Sequence, residues 1–336
     1  MSATAPFSSS PMNAAGLIDA VRALGLIAPD EEAGISPLAG GVSADVFVVT
    51  TASGRRLVVK RSIPRLRVAA DWRAPVERDA VEVAWLNTVR EIEARLAPEV
   101  LGWSSGEHLI VLEWRDAPVW KQEMAAGRVD PAFAGKVGRA LARIHAATAG
   151  RDDVAAHFPV PANFFALRID PFLLYTAERH GDVAPRLREL AADLQKRRTA
   201  LIWGDASPKN ILVGGEGPVF LDAETAAMGD PAFDVAFCST HLLLKTLWLA
   251  PFADGIVKSL EAFRDGYLAD FPTDAAFSNR AAAIVGALLL ARVDGKSPAG
   301  YLDAAQDGNV RGRAKAILAR PDLDLATLPV FWRALA

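Results

Sequence analysis

Residues 203–234 read WGDASPKNILVGGEGPVFLDAETAAMGDPAFD and combine short apolar strands with unusually acidic connections. Asp205 follows one predicted strand, ALIW, and Asn210 opens the next, NILVG. A third predicted strand ends in Asp222 and Glu224, and residues two apart in a strand share one face. Carboxylates that face one space repel each other unless a cation holds them, and Mg²⁺ favours carboxylate and amide oxygens. The stretch therefore predicts oxygen ligands for a divalent cation at the ends of short strands.

The same stretch continues with GDPAFD, where two further acids suggest structural roles. Asp230 stands before Pro231, a combination that suits the start of a helix. Asp234 is expected to accept backbone N–H bonds from the loop around Asp205 and so to hold the shape of that loop. A set of ordinary turns is the alternative interpretation, because Asp, Gly, Pro and Asn all favour turns.

The composition is that of a globular chain that can bury a large core. The 336 residues are 51% hydrophobic, and this length corresponds to one large or two smaller domains. The net charge is −3, so basic residues are not in excess and nucleic-acid binding is not expected. The single cysteine, Cys238, excludes an internal disulfide framework and suits a reducing cytoplasm. The sequence does not indicate an oligomeric state.

No segment of the sequence predicts a membrane anchor. Residues 1–15 are rich in Ser, Ala and Pro and lack the basic start and apolar stretch of a signal peptide, so a flexible tail is expected. The apolar segment AAAIVGALLLA, residues 281–291, is too short to span a bilayer and is expected to form a buried helix. We therefore expect a cytoplasmic protein that does not contact a membrane.

The hydrophobic patterns predict an α+β protein with two lobes. Residues 16–114 contain the strands DVFVVT, RLVVK and HLIVLEW and the helix PVERDAVEVAWLNTV, which indicates a small N-terminal lobe with an antiparallel sheet. Residues 115–336 predict a larger, mainly helical C-terminal lobe, in which AFAGKVGRALARIHAATAG has an apolar stripe that faces a core. His145 in this helix is interpreted as a packed structural histidine. The junction of two such lobes is a common place for a ligand cleft.

Three motifs of the acidic stretch, in this order, resemble those of the aminoglycoside phosphotransferase and choline kinase superfamily: Gly-Asp-x-x-x-x-Asn, apolar-Leu-Asp-x-Glu and Gly-Asp-Pro-x-x-Asp. Upstream, PLAGGVSADVFVV resembles the glycine-containing nucleotide loop of that superfamily, VVK its lysine strand and VLEW its hinge. The resemblance covers residues from about 36 to 240. It implies a protein-kinase-like fold and a phosphotransferase that uses ATP and Mg²⁺ to phosphorylate a hydroxyl of a small molecule.

The resemblance also implies roles in the N-terminal lobe. Lys60 would reach the α- and β-phosphates of ATP, although a lone lysine at the end of a strand is usually a solvated surface residue. Glu82 on the following helix is the preferred ion-pair partner, because it falls on the face that should pack. Glu77, Asp79 and Glu91 are the alternatives.

Backbone groups complete the predicted nucleotide site. Gly40, Gly41 and Ser43 would approach the phosphates, since no Cβ blocks the glycine N–H groups, while a simple hairpin turn is the alternative interpretation. Glu113 and Trp114 would present backbone groups to adenine. These assignments follow from the resemblance of VLEW and of the glycine loop to the family motifs.

The catalytic assignments lie in the acidic stretch. Asp205 would orient the acceptor hydroxyl and receive its proton, and Asn210 and Asp222 would bind Mg²⁺. Glu224 is the next candidate, as a ligand of the metal or of a water. Lys209 would meet the γ-phosphate or, equally, face solvent.

One position departs from the family pattern. Trp203 stands where the family usually has a histidine before Gly-Asp. A tryptophan can fill the same space but is not expected to supply the same hydrogen bonds, which affects the geometry of the loop rather than the catalytic groups.

The identity of the acceptor stays open at this level. The segment KRSIPRLRVAADWRAPVERDAVEVAWL resembles the corresponding part of 5-methylthioribose kinases, which makes methylthioribose one candidate beside other sugars and amino alcohols. Residues 291–302, Trp248 and Trp120 are candidate walls of the acceptor pocket. A nucleotide-binding pseudokinase and an aminoglycoside phosphotransferase are the alternative functions.

Overall fold

The structure is a computed structural model that describes residues 13–38, 42–68, 70–158, 162–271 and 273–335. The chain divides into two compact units, Met1–Asp116 and Ala117–Ala336. The first unit contains an antiparallel sheet and the second is mainly helical. The predicted α+β fold class is confirmed.

The first unit is built around a five-stranded antiparallel sheet. Its α-helices and strands are, in chain order, α1 (Ala14–Ala23), β1 (Ala33–Pro37), β2 (Ala44–Thr51), β3 (Arg56–Ser62), α2 (Arg78–Ile92), β4 (Val100–Ser104) and β5 (Leu109–Glu113). The strands lie in the order β1-β2-β3-β5-β4, and every neighbouring pair is antiparallel.

The central strand β3 separates two environments. Leu57 and Val59 belong to a buried apolar cluster with Leu17 and Val21 of α1. Because side chains alternate along a strand, Lys60 points to the opposite face of the sheet from Val59. Lys60 pairs in register with β2 and β5 on its two sides, so the sheet holds the lysine backbone rigidly.

Helices make up most of the second unit. They are α3 (Trp120–Ala125), α4 (Pro131–Thr148), α5 (Asp152–His157), α6 (Ala162–Phe164), α7 (Tyr175–Arg179), α8 (Ala184–Lys196), α9 (Ala232–Trp248), α10 (Ala253–Asp270), α11 (Ala275–Asp294), α12 (Ala304–Leu318) and α13 (Leu328–Ala334). A π-helical segment, Phe165–Leu174, joins α6 to α7. Pro171 lies inside it and lacks the N–H that a regular helix requires, which accounts for the widened turns.

Two small antiparallel pairs interrupt these helices. Strand β6 (Ala200–Ile202) pairs with β9 (Ala227–Gly229), and β7 (Ile211–Val213) pairs with β8 (Pro218–Phe220). They lie at both ends of the acidic stretch and in its middle. The acidic connections therefore begin and end on hydrogen-bonded strands.

Helices α4 and α10 pack unusually close together because glycines face each other. A Cβ atom at Gly138 would overlap the carbonyl oxygen of Phe263, and one at Gly266 would overlap the carbonyl oxygen of Gly135. Only residues without a side chain allow the two backbones this approach. The contact positions α4, which carries His145.

The apolar segment 281–291 lies in a longer helix than predicted. Helix α11 has 20 residues and, by length and composition alone, is apolar enough to cross a membrane. The bent pair formed by Ala232–Trp248 and Ala250–Asp270 also passes this test when counted as one span. In α11, 72% of the apolar window is buried inside the protein, as in a core helix. The expected buried helix is confirmed, and the argument from its short length is wrong.

Candidate active site

In the first unit, Lys60 and Glu82 form a buried ion pair. Lys60 Nζ lies 2.6 Å from Glu82 Oε2, and the two side chains are only 8% and 1% exposed. Breaking such a pair leaves an uncompensated buried charge, so each side chain strongly fixes the other. Asp79, one of the alternatives, instead accepts a hydrogen bond from Trp103 Nε1 at 2.8 Å.

The segments before α2 are tied to it by Arg78. Its fully buried guanidinium donates to the carbonyl oxygens of Ile63 at 2.7 Å, Pro75 at 2.6 Å and Ser43. Arg78 therefore fixes the backbone at Ser43, where the predicted phosphate loop enters β2. Gly40 and Gly41 lie outside the described residues.

The predicted hinge residues follow β5. The Glu113 backbone N–H donates to the Glu99 carbonyl oxygen at 2.9 Å, so this donor is already used within the protein. The Trp114 ring lies under the guanidinium of Arg56, 4.7 Å from its centroid. The proposed contacts of these residues with adenine stay predictions.

In the second unit, Asp205 sits in a loop between β6 and the 3₁₀ turn Pro208–Asn210. Its carboxylate is buried and lies 3.0 Å from the guanidinium of Arg168 and 3.3 Å from Lys209 Nζ. The preceding Gly204 has a φ of 77°, and a Cβ there would lie 2.6 Å from Thr225 Oγ1. Glycine is required at that position for both reasons.

Asp234 holds this loop in shape. The backbone N–H groups of Trp203 and Gly204 donate to its two carboxylate oxygens at 2.6 and 2.7 Å. The role predicted for Asp234 is confirmed. Asp230 also caps α9 as expected, because its Oδ1 accepts the Ala232 N–H at 3.0 Å.

His145 is part of the same buried support. Its Nε2 lies 3.2 Å from Asp234 and its Nδ1 lies 2.8 Å from the Tyr267 hydroxyl. Burial raises the pKa of Tyr267 well above its ordinary value, so the hydroxyl keeps its proton. The two contacts hold the imidazole between α10 and Asp234. The prediction of a structural histidine is confirmed.

Trp203 supplies a hydrogen bond as well as bulk. Its indole Nε1–H donates to the carbonyl oxygen of Asp222 at 3.1 Å, and its ring packs 4.9 Å from that of Phe220. The expectation that a tryptophan does not supply the same hydrogen bonds as a histidine stays a prediction, and the indole adds this bond to its bulk. The indole reaches across the loop because its N–H extends further from the backbone than an imidazole nitrogen does.

Asp222 and Glu224 converge through a turn and not through a strand. Strand β8 ends at Phe220, so the argument that both residues share one strand face is wrong. Asp222 has a φ of 61°, a conformation that non-glycine residues rarely adopt, and this turn brings its carboxylate within 4.8 Å of that of Glu224. Backbone strain of this kind is often kept at functional sites.

The donor set of this turn fits a hard divalent cation. Asp222 and Glu224 offer carboxylate oxygens, and Asn210 adds an amide. The Asn210 Nδ2 donates to the backbone carbonyl of Asp205 at 3.3 Å, which leaves its Oδ1 as the atom for a ligand. The same hydrogen bond ties Asn210 to the loop that carries Asp205.

Arg168 was not anticipated from the sequence. It lies in the π-helical segment and donates to the carbonyl oxygen of Gly204 at 2.6 Å besides pairing with Asp205. Its guanidinium lies over the rings of Phe172 and Phe237, at 5.4 and 5.2 Å from their centroids. A single arginine within the apolar run FFALRIDPFLL was the only available signal.

The candidate pocket walls have different environments. Trp120 is a core residue, buried against Phe133, whereas Trp248 stacks on Tyr301 at 4.8 Å between ring centroids. In the segment 291–302, Lys296 pairs with Asp170 at 2.8 Å, and Asp294 pairs with Arg311 at 2.7 Å. Arg292 instead donates to Ser297.

Comparison with known proteins agrees with this arrangement. A family model described as the phosphotransferase enzyme family matches residues 34–277, which is most of the chain. The chain belongs to this family. The match includes β2 to β5, all of β1 but its first residue, and the whole acidic stretch, so it confirms the resemblance to aminoglycoside phosphotransferases and choline kinases. A comparison with curated proteins finds no significant match.

Solved structures of other phosphotransferases share the fold of this family member. A choline/ethanolamine kinase family protein from Mesorhizobium loti is 20% identical, with 95% of this chain and 99% of that chain covered and a TM-score of 0.55. An aminoglycoside phosphotransferase from Alicyclobacillus acidocaldarius is 18% identical, with 98% of each chain covered and a TM-score of 0.54. An amicoumacin kinase in complex with AMP-PNP, Ca²⁺ and its ligand is 14% identical, with 92% and 93% covered and a TM-score of 0.55. These likenesses confirm the kinase-like fold.

Proposed function

We propose that this phosphotransferase moves the γ-phosphoryl group of ATP to a hydroxyl of a small molecule. The observation that carries the proposal is the loop geometry of the second unit. Asp234 holds the backbone of the Asp205 loop, Asn210 is tied to the same loop, and the Asp222 carboxylate turns toward that of Glu224. The structurally similar amicoumacin kinase binds AMP-PNP, which supports ATP as the donor.

In the proposed reaction, Asp205 orients the acceptor hydroxyl and takes its proton. A bond forms between the hydroxyl oxygen and the γ-phosphorus, the bond from the γ-phosphorus to the β–γ bridging oxygen breaks, and ADP leaves. Arg168 and Lys209, at 3.0 and 3.3 Å, keep the Asp205 carboxylate in one position. Positioning of this kind supplies much of the rate enhancement in phosphoryl transfer.

Lys60 would bind the α- and β-phosphates, and Glu82 keeps the ammonium in place at 2.6 Å. Gly40, Gly41 and Ser43 would supply backbone donors to the phosphates, and Glu113 and Trp114 would border the adenine. Asn210, Asp222 and Glu224 would hold Mg²⁺, which when bound neutralises charge on the phosphate oxygens.

A turnover assay tests the proposal. Purified protein is incubated with ATP, Mg²⁺ and a panel of sugars, sugar acids, sugar phosphates, amino alcohols and aminoglycosides, and ADP release is followed. We expect acceptor-dependent ADP release that falls by about 10²–10⁴-fold in Asp205→Asn, because the general base is lost. Asp152→Asn, an exposed acid of α5, is the matched control and keeps full activity.

A separate measurement of ATP binding identifies the competing function. ATP binding by the wild-type protein without turnover of any acceptor in the panel would indicate a nucleotide-binding pseudokinase and contradict the proposal. Equal activity of Asp205→Asn and wild type would remove Asp205 from the catalytic role.

A further inference from the structure

Positively charged side chains from five segments of the second unit form one network of interacting charges that includes the two ion-pair partners of Asp205. Two of them, Arg168 and Lys209, contact the Asp205 carboxylate directly, so its single negative charge already has two positive partners. Three more interact electrostatically with these groups and form no ion pair with an acid of the described residues. They are Lys121 of α3, Lys245 of α9 and Arg292 of α11.

Lys121 and Lys245 meet at one aromatic wall. Lys121 Nζ lies 5.3 Å from the centroid of the Tyr301 ring and 5.4 Å from that of Trp248. Lys245 Nζ lies 5.6 Å from the same tyrosine ring and is 1% exposed. Both ammonium groups border the Tyr301 ring, and the charge of Lys121 lowers the pKa of Lys245, so the two lysines repel each other. The aromatic ring offsets only a small part of this repulsion.

No carboxylate of the described residues lies within 4.0 Å of Lys121, Lys245 or Arg292. Lys245 donates to the backbone carbonyl oxygen of His241 at 3.4 Å, and Arg292 donates to Ser297. A buried cation with only neutral partners costs free energy. Buried ionisable groups of this kind cluster at functional sites, where a ligand of opposite charge can offset the cost.

The electrostatic environment agrees with this geometry. Burial lowers the pKa of Lys245 to about 7, and the charges of Lys121 and Arg292 act in the same direction. Burial also lowers the pKa of Lys121, with further lowering by Lys209 and Arg292. Lys209 thus links the two parts of the cluster, since it contacts Asp205 and repels Lys121.

Neutral polar groups are present beside these cations. The buried Tyr301 hydroxyl has no hydrogen-bond partner among the described residues. Burial lowers the pKa of His241 well below its ordinary value, so its imidazole is neutral and adds no charge. An anion bound here would receive charged donors from two helices and a neutral donor from Tyr301.

We propose that the acceptor of this kinase is an anionic hydroxyl compound, whose phosphate or carboxylate binds Lys121, Lys245 and Tyr301 while its hydroxyl lies at Asp205. The inference rests on the proposed phosphotransferase function and specifies its substrate class. Polycationic aminoglycosides and choline-like ammonium alcohols are disfavoured, because their charge has the same sign as the cluster.

Matched acceptors test the charge preference. Ribose, ribonate and ribose 5-phosphate share most of their hydroxyl groups and differ in the acidic group, and an aminoglycoside serves as the cationic arm. We expect kcat/KM to be at least about tenfold higher for one of the anionic compounds than for ribose, which corresponds to about 1.4 kcal/mol. The two anionic arms distinguish a phosphate from a carboxylate.

Variants assign the preference to the cluster. Lys245→Met and Lys121→Met each keep a side chain of similar length and remove the ammonium group. In each variant we expect the preference for the anionic acceptor, measured as its kcat/KM divided by that of ribose, to fall about tenfold. Lys258→Met, an exposed lysine of α10, is the matched control and keeps the wild-type ratio. Unchanged ratios in both cluster variants would overturn the inference.

A binding measurement separates failure of the inference from failure of the proposed function. If no acceptor is turned over but ribose 5-phosphate, ribonate or inorganic phosphate raises the melting temperature of wild type and not of Lys245→Met, the anion site stands and the kinase function fails. If neutral or cationic acceptors are turned over better than anionic ones, the function stands and the inference fails. Absence of both anion binding and anion-dependent turnover overturns the inference.

Discussion

Trp203 shows how one side chain can contribute both bulk and a hydrogen bond to the Asp205 loop. Its N–H donates to the carbonyl oxygen of Asp222, a residue whose backbone has a φ of 61°. The hydrogen bond helps to hold that turn, in which the carboxylate of Asp222 lies near Glu224. The tryptophan thus connects the Asp205 loop to the candidate metal ligands.

Replacement of Trp203 by phenylalanine keeps most of the ring and removes only this donor. We expect the free energy of unfolding to fall by about 1 kcal/mol, because the part-buried Asp222 carbonyl oxygen loses its partner. We also expect the apparent Mg²⁺ requirement for ADP release to rise. Urea denaturation and a Mg²⁺ titration of activity measure the two effects. A variant with wild-type stability and metal dependence would show that the indole only fills space.

Lys245 predicts a dependence of stability on pH. Its pKa is about 7 in the folded protein and 10.5 in its ordinary state. Between these values the unfolded chain binds more protons, so the folded state gains stability as the pH rises and carries the full penalty below pH 7. Removing the ammonium removes this penalty.

Lys245→Met is therefore expected to be more stable than wild type near neutral pH, and its advantage should shrink as the pH rises. The advantage changes by at most about 1.4 kcal/mol per pH unit. Urea denaturation at several pH values from about 6.5 to about 9, in buffers without phosphate, measures it. Lys258→Met should show no such trend, and an advantage of Lys245→Met that is constant with pH would contradict the assignment.

At the scale of elements, the packing of α4 against α10 positions the residues that support the Asp205 loop. Tyr267 on α10 reaches His145 on α4, and His145 reaches Asp234. Gly138 and Gly266 set the separation of the two helices. Through this chain of contacts, residues that are far from Asp205 in the sequence help to fix the position of the Asp205 loop.

Gly138→Ala is expected to destabilise the protein by about 2–4 kcal/mol, because the added methyl group overlaps the Phe263 carbonyl and separates the helices. Gly312→Ala in α12 is the matched control. A Cβ at Gly312 meets nothing within 4 Å, so this substitution should stabilise the helix by about 0.5–1 kcal/mol. Thermal denaturation compares the two. Equal effects of the two substitutions would show that α4 and α10 can move apart without cost.

At the scale of the whole molecule, the distribution of charge matters more than its sum. The net charge of −3 is unremarkable and excludes little. Arg168 and Lys209 nevertheless both contact Asp205, and they interact with the further cations Lys121 and Arg292, so this part of the second unit is locally positive. Composition averages over the surface and the interior, so it cannot indicate a cluster of this kind.

The candidate site residues of the acidic stretch could be predicted because they are close to one another in the sequence. Asp205, Asn210, Asp222 and Asp234 lie within one continuous segment, and loop spacing and strand ends bring such residues together. The ion pair of Lys60 with Glu82 depends on a strand and the helix that follows it. Asp222 and Glu224 have carboxylates that lie close together as expected, although a turn and not a strand brings them there, and their role as metal ligands stays a prediction.

What the sequence alone determined is the α+β fold class, the family and the local order of the catalytic loop, because short-range spacing and hydrophobic periodicity encode them. Only the tertiary structure decided which cations surround Asp205. Lys121, Arg168, Lys245 and Arg292 lie on different segments, and each alone is an ordinary basic residue. Packing of those segments brings them together, and no sequence spacing reports a contact that depends on how separate helices pack.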